Sequence, residues 1–551
     1  MKQSHNKNIL KNLIRRERNF SREEKKEDLN YLILYSFLYK YLSDNLKNFL
    51  ETLMPPEEDL KYFYQDDEYY EMFKEESLDN LGYFFKNYDS FIDVMVDDEY
   101  VGNYYTNLFF TNLEKSMDFK QNSNLESYFN TIFDLLGKFG RNREYVSGSH
   151  DLILREYIRF IAKLDINEID FTFQQVYDVI ASSRMVDVEI TPDYLSFMLK
   201  KIISSKVKDA ENVYDPFLKD ASAIFGLSKE ININNIYGKE ESDINYFYSL
   251  IKGLINGYSP DNISFYHQNA IQSMSIEDKT FDIIVSNIPS RFSSKYYQQS
   301  LELPASDKSN FKEDLILKLK ESNLQSDENV MNAFQTLIKE VESSKSGEKI
   351  FEGEYESLND NEFLFIINML NTLKQDGIMA ISISQNFLFK KSLKTLRKFL
   401  TYENNYIDAI ISVPEELGRG VRPEVIIVFK KNKSTNDIVF IDISKRYKTT
   451  KSPNAIAGLF RRNLILTDSC LDKIVDIYIK RDKINKLSDV VSLELLKEND
   501  FNLAVSRYVD TYEGEFVRLD DLKNDKKEID LKMNQLNKKI EKLMDDLGIK
   551  F

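Results

Sequence analysis

Three apolar runs in the middle of the chain end in side chains that can hold a ligand. Val213-Tyr214 leads into Asp215-Pro216, Ile233 to Tyr237 into Gly238-Lys239-Glu240, and Phe281 to Ser286 into Asn287-Ile288-Pro289-Ser290. A carboxylate offers two acceptor oxygens and so suits paired hydroxyls, while an amide oxygen accepts a hydrogen bond without carrying charge. Each residue has an ordinary use as well: Asn287 suits a turn cap, and Glu240 suits the start of a helix, facing its dipole. Lys219 reads as a solvated surface charge or as a binder of an anion, and His267 as a packed or surface histidine. Arg291 and Lys295 are a pair that could touch phosphate. Thiol and metal chemistry are disfavoured. Cys470 is the only cysteine, and His5, His150 and His267 lie too far apart in sequence for a metal-ligand spacing.

Such strand-end residues need a sheet to hold them. From Thr191 onward, short apolar strands alternate with helical segments, the pattern of a doubly wound α/β domain. Strands are predicted at Val213-Tyr214, Ile233 to Tyr237, Ile263 to Tyr266, Ile283 to Val285, Ile378 to Ile383, Tyr406 to Val413, Val425 to Phe429 and Ile438 to Ile443. That predicts a sheet of seven or eight strands, with a helix over Asn361 to Leu373 and a turn at Gln375-Asp376-Gly377. Upstream, Leu29, Leu32, Tyr35, Phe37, Leu38, Tyr41 and Leu42 recur at helical spacing, as do Tyr128, Ile132, Leu135 and Leu136, then Leu152, Leu154, Ile158 and Ile161. The expected organisation is a helical domain over 1–185, an α/β domain over 186–480 interrupted by a polar insertion at about 293–360, and a C-terminal segment over 481–551. In that last segment Leu522, Ile529, Met533, Leu536, Ile540, Leu543 and Leu547 form a heptad seam closed by Gly548. The seam fits a partner helix or a fold back onto its own domain.

Composition narrows the function. A 42% hydrophobic and 13% aromatic content in 551 residues excludes a disordered chain, and the length suggests roughly three or four structural units. The longest apolar stretch, Tyr31 to Leu42, is too short to span a bilayer and is broken by Ser36 and Lys40, so a cytoplasmic location is expected. With 90 acidic against 74 basic residues the net charge is −16, whereas a solitary DNA binder carries a basic face. The chain is either a plain acidic protein or one whose partner supplies the phosphate contacts.

The ordered series of motifs resembles the modification (M) subunit of type I restriction-modification systems, the N6-adenine DNA methyltransferases. It runs from Ile190-Thr191-Pro192-Asp193-Tyr194 through Asp215-Pro216, Tyr237-Gly238-Lys239-Glu240, Phe281-Asp282 with Asn287, and Leu373 to Ile381, to Asp408 to Ile411 and Asn502 to Val509. The resemblance implies a Rossmann-like, S-adenosylmethionine-dependent methyltransferase domain, an N-terminal helical domain, and a C-terminal helix that docks a separate specificity subunit, which reads DNA. It places catalysis on Asn287 and Pro289, which would hold the N6 amine of a flipped adenine. Cofactor contacts fall on Thr191, Pro192, Asp215, Pro216 and Glu240, the last gripping the ribose. The sequence departs from the family at Ile288 and Ser290, where a second proline and an aromatic ring are expected, at Asn269, where an aspartate is expected, and at Lys219 and Ala221, where glycines are expected. Side chains at 219 and 221 project where the methionine part of the cofactor would lie, and Ile288 lacks the fixed φ that would stiffen the loop. Three readings follow: a homologue with methyl transfer lost or weakened, kept for assembly or DNA binding; an active methyltransferase with a divergent pocket; and an acidic protein-interaction scaffold.

Overall fold

The structure, a computed structural model, describes residues 27–55, 58–96, 116–121, 123–140, 148–182, 191, 193–268, 270, 276, 279–288, 366, 369–413, 424–444, 448–451, 462–465, 468–510 and 519–546. The insertion at 293–360 lies outside them, as do Pro192, Asn269, Pro289, Ser290, Arg291 and Lys295. The chain divides into two compact units, Met1–Val509 and Asp510–Phe551.

In the first unit, α1 (Glu27–Leu53) is buried on every side between Leu29 and Tyr39, so it acts as a core helix rather than an amphipathic one. Around it pack α2 (Asn124–Gly140), α3 (Gly148–Ile161) and α4 (Ile166–Ser182). A small antiparallel ribbon, β1 (Tyr83–Phe85) with β2 (Met117–Phe119), interrupts the helical part. Its aromatic residues carry no long alternating pattern, and the helical expectation passed over it.

The α/β part follows with α5 (Asp193–Ser204), β3 (Asp209–Asp215), α6 (Ser222–Ser228), β4 (Asn232–Glu240), α7 (Asp243–Ile255), β5 (Ile263–His267) and β6 (Phe281–Asn287). Next come β7 (Leu373–Ser384), β8 (Ile407–Ser412), β9 (Glu424–Lys430), β10 (Asp437–Asp442), a separate pair β11 (Lys448–Lys451) and β12 (Arg462–Ile465), α8 (Asp468–Lys480) and β13 (Ser488–Ser492). One sheet of nine strands runs in the order β13-β10-β8-β9-β7-β6-β3-β4-β5, against the seven or eight expected from the eight apolar runs. The added strand is β13, antiparallel to β10 at the edge. β9 also runs antiparallel, between β7 and β8, and the strands from β7 to β5 are parallel.

Apolar runs serve both faces. Ile283 and Val285 join the core that includes the N-terminal helices, while Ile284 joins the opposite core with Met379 and Ile427. The predicted turn at Gln375-Asp376-Gly377 is instead taken up within β7: Leu373 pairs with Phe281 and Ile378 with Ile283, so the residues between bulge out of register.

The second unit contains α9 (Leu519–Asp546), whose Ile529, Met533, Leu536 and Ile540 are all exposed. Among the described residues no helix is long and apolar enough to cross a membrane, and no group of three or more His, Cys, Asp or Glu could hold a metal ion.

Candidate functional site

Strand order sets the location. β4 and β5 lie on one side of β3, and β6 and β7 on the other, so the crevice of this sheet opens at the carboxyl ends of β3 and β6. Asp215 ends β3, Glu240 ends β4 and Asn287 ends β6. Three residues chosen from the sequence therefore share one rim.

Asp215 is 1% exposed. Its Oδ1 accepts from the Ser286 hydroxyl at 2.7 Å, across the switch point, and from the Phe217 N–H at 3.0 Å. The buried Pro216 opens a turn that is held at several points. Leu218 N–H donates to the Lys239 carbonyl at 3.0 Å, and Ala221 N–H to the Leu218 carbonyl at 2.6 Å. Leu218 wedges against Gly238, where an added Cβ would come within 2.5 Å of it, so this strand position admits only glycine while the wedge is in place. Lys219 and Ala221 both have φ of 51°, the left-handed region that favours glycine. The turn keeps a glycine-type path without its glycines.

Glu240 clamps that turn to the exit of β4. Its Oε2 accepts the Lys219 N–H at 2.7 Å, and its Oε1 accepts Ser242 N–H at 2.8 Å and Glu241 N–H at 3.1 Å. The Asn245 side chain adds a further hydrogen bond. Thr191 reaches the same turn, donating its N–H to Asp220 Oδ1 at 3.1 Å, while the Ser222 hydroxyl donates to Asp220 Oδ2. Lys219 is not the solvated charge that was one sequence reading: it is 6% exposed, and its charge acts on both Asp215 and Glu240.

Asn287 is 3% exposed, and its Oδ1 has no hydrogen-bond partner among the described residues. A buried acceptor left open is costly, on the order of 1–3 kcal/mol, unless a ligand or water answers it. Ile288 is better fixed than its lack of a ring implied: its N–H donates to the Ser382 carbonyl at 3.0 Å, and its side chain is buried in the core with Ile381 and Leu388. At the end of β5, His267 stacks on Tyr246 and faces Asp243. Sequence reasoning missed Ser286 and Asn245. A serine before the strand-end Asn and a polar residue on an apolar helix were the only signals.

Burial pushes the Asp215 carboxyl up to about 7, with the Ser286 hydroxyl, the Phe217 N–H and the Lys219 charge pulling the other way. Burial likewise pushes Glu240 up to about 7, against its backbone donors, Lys219 and Asn245. Both lie above the ordinary carboxylate range of about 4. Between those limits the fold holds protons that the unfolded chain releases, so stability is full at the acidic end and is lost as pH rises through about 7. Each group contributes at most about 1.4 kcal/mol per pH unit across this window. Thermal melts should therefore fall from pH 5.5 to pH 8 more steeply in the unaltered chain than in a variant with Asp215→Asn and Glu240→Gln. Parallel curves would refute the assignment.

The profile of the family described as N-6 DNA Methylase matches residues 189–340 and 334–515. The chain belongs to the N-6 DNA methylase family. Within that family it is similar to the type I restriction enzyme MpnII methylase subunit of Mycoplasma pneumoniae, 23% identical over 563 residues, covering 95% of this chain and 93% of the relative. The type I restriction enzyme MjaVII methylase subunit of Methanocaldococcus jannaschii is 23% identical over 404 residues, covering 70% of this chain and 61% of the relative. The fold is that of the type I restriction-modification methyltransferase subunit from Streptococcus thermophilus, with a TM-score of 0.67 at 20% identity, over 92% of this chain and 99% of that one.

Proposed function

We propose that the chain is the modification-subunit homologue of a type I restriction-modification complex in which S-adenosylmethionine binding and methyl transfer are lost or strongly weakened, and which serves complex assembly and DNA holding. One observation carries the choice: the buried Lys219 in the turn after β3, acting on Asp215 and Glu240. Pocket residues fit the nucleoside end of the cofactor, with Glu240 at the end of β4 for the ribose and Asp215 and Thr191 fixing the turn. At the sulfonium end, the buried Lys219 and Ala221 stand where the family is expected to have glycines. A resident cation beside both carboxylates takes the electrostatic place that a cationic ligand would use.

The rest of the reading concerns partners. The relatives are named as subunits, and α9 presents an uncovered apolar seam, which together support docking of a specificity-subunit-like protein through that helix. DNA would be held by the complex, because a chain at −16 gains little from phosphate by itself. On this reading 1–185 serves as helical support, 186–480 as the methyltransferase-like body, and 481–551 as a C-terminal segment that first adds β13 to the body's sheet and ends in the docking helix.

A second reading, an active N6-adenine DNA methyltransferase with a divergent pocket, is favoured by Asn287, whose open Oδ1 suits an amine hydrogen of a flipped adenine. Calorimetric titration of the purified chain with S-adenosylmethionine separates the two. No heat and no thermal shift are expected, whereas one-to-one micromolar binding would sink the first reading. A complex that ignores duplex DNA would leave the acidic scaffold.

A further inference from the structure

The side chains that hold Glu240 continue into the N-terminal helices. α4 and α7 face each other through two stripes, Phe173, Gln174 and Tyr177 against Asn245, Tyr248 and Lys252, each spaced to fall on one helix face. Tyr248 stacks on Phe173 at 4.6 Å and on Tyr177 at 3.6 Å between ring centres. Around the rings runs a polar seam. The Tyr177 hydroxyl donates to Asn245 Oδ1, and the Asn245 side chain hydrogen-bonds Glu240. Gln174 Oε1 accepts from the Tyr248 hydroxyl at 2.6 Å and from the Lys252 ammonium, which also lies 3.4 Å from the Asp220 carbonyl. Phe173, Tyr177, Asn245, Tyr248 and Lys252 are all buried. Apolar residues would pack two helices without the desolvation penalty of such a seam. What the polar groups add is a fixed connection to both loops of the site.

The Tyr177–Asn245 step has a definite logic. An amide can present either its oxygen or its NH₂ to a neighbour, and only the NH₂ is favourable toward a carboxylate. By donating to Oδ1, the Tyr177 hydroxyl holds the amide with its NH₂ toward Glu240. We propose that Tyr177 and Asn245 are positioning residues that orient the Glu240 carboxylate for the hydroxyls of an adenosine-type ligand, so that a helix of the N-terminal part sets the ribose selectivity of the pocket. This rests on the reading of Glu240 as the ribose carboxylate.

The test uses the full chain with Tyr177→Phe, which removes one oxygen and keeps the ring stack, and with Asn245→Ala. The first readout needs no ligand: the infrared titration of Glu240, isolated by difference from a Glu240→Gln variant. The groups facing that carboxylate are the N–H groups of Lys219, Glu241 and Ser242, the Lys219 ammonium, Asn245 and, through it, Tyr177. Its midpoint should rise by about one unit in either variant, because a donor to the charged form is lost. An unmoved midpoint overturns the relay. The second readout is calorimetric binding of adenosine against 2′,3′-dideoxyadenosine. The preference for adenosine should fall about tenfold in Tyr177→Phe and stay unchanged in Phe173→Leu, which disturbs ring packing on Tyr248 and Phe37 but removes no polar group of the relay. An equal fall in both reduces Tyr177 to a packing role and overturns the positioning claim. A moved midpoint in a chain that shows no ribose preference to begin with overturns the ribose reading of Glu240, and the positioning claim with it.

Discussion

A chain carrying Lys219→Gly together with Ala221→Gly is expected to bind S-adenosylmethionine at least about tenfold more tightly than the unaltered chain. Both residues sit at φ of 51°, where an L side chain costs roughly 1–2 kcal/mol, so glycine keeps the path of the turn and removes the strain. Ala221→Gly alone should raise stability by about 0.5–1 kcal/mol, since strain relief exceeds the added freedom of glycine in the unfolded chain. Lys219→Gly acts further. It clears the space its side chain fills and takes a cation away from Asp215 and Glu240, leaving two carboxylates to be answered by a cationic ligand. The same loss pushes both carboxyls higher, so the stability gain at position 219 should be visible near pH 6 and shrink toward pH 8. Calorimetry reads the affinity, and melts at the two pH values read the stability. A folded double variant with unchanged affinity would clear Lys219 of blame.

Deleting the chain from Leu522 onward is expected to abolish co-purification with a specificity-subunit-like partner while leaving the melting of Met1–Val509 unchanged. Ile529, Met533, Leu536 and Ile540 are 48–59% exposed, a seam whose burial against a partner helix would remove several large apolar groups from water. At about 1.5–3 kcal/mol for each side chain taken from fully exposed to fully buried, four that start about half exposed offer roughly 3–6 kcal/mol before the cost of association. Leu536→Lys in the full chain should lower association by at least about tenfold, because it places a charge in the middle of the seam. Pull-down and gel filtration check both. Association that survives the truncation would assign the partner to another surface.

Much of the sheet was legible because its strands are buried on both faces and read as unbroken apolar runs, as in Ile283-Ile284-Val285 and Val425 to Phe429. β13 was not, since Ser-Asp-Val-Val-Ser offers two apolar residues and owes its strand to pairing with β10. The bulge in β7 was misread for the opposite reason: Gln375-Asp376-Gly377 has turn chemistry, but Gly377 lies where a Cβ would meet the Asp282 carbonyl at 3.0 Å, close against the neighbouring strand. At the site, Asp215, Glu240 and Asn287 could be chosen because polar residues end apolar strands. Ser286, Tyr177 and Asn245 could not, because their partners are brought together only by folding, as Ser286 is to Asp215 and Tyr177 to Asn245.

The wedge of Leu218 against Gly238, together with the clamp of Glu240 on the Lys219 N–H, gives the mouth of the crevice its shape before anything enters it. A preorganised mouth loses little ordering entropy when it is filled. Ligands of this turn should therefore arrive at similar rates and differ in how long they stay, so that substitutions at 219 and 221 register as changes in residence time.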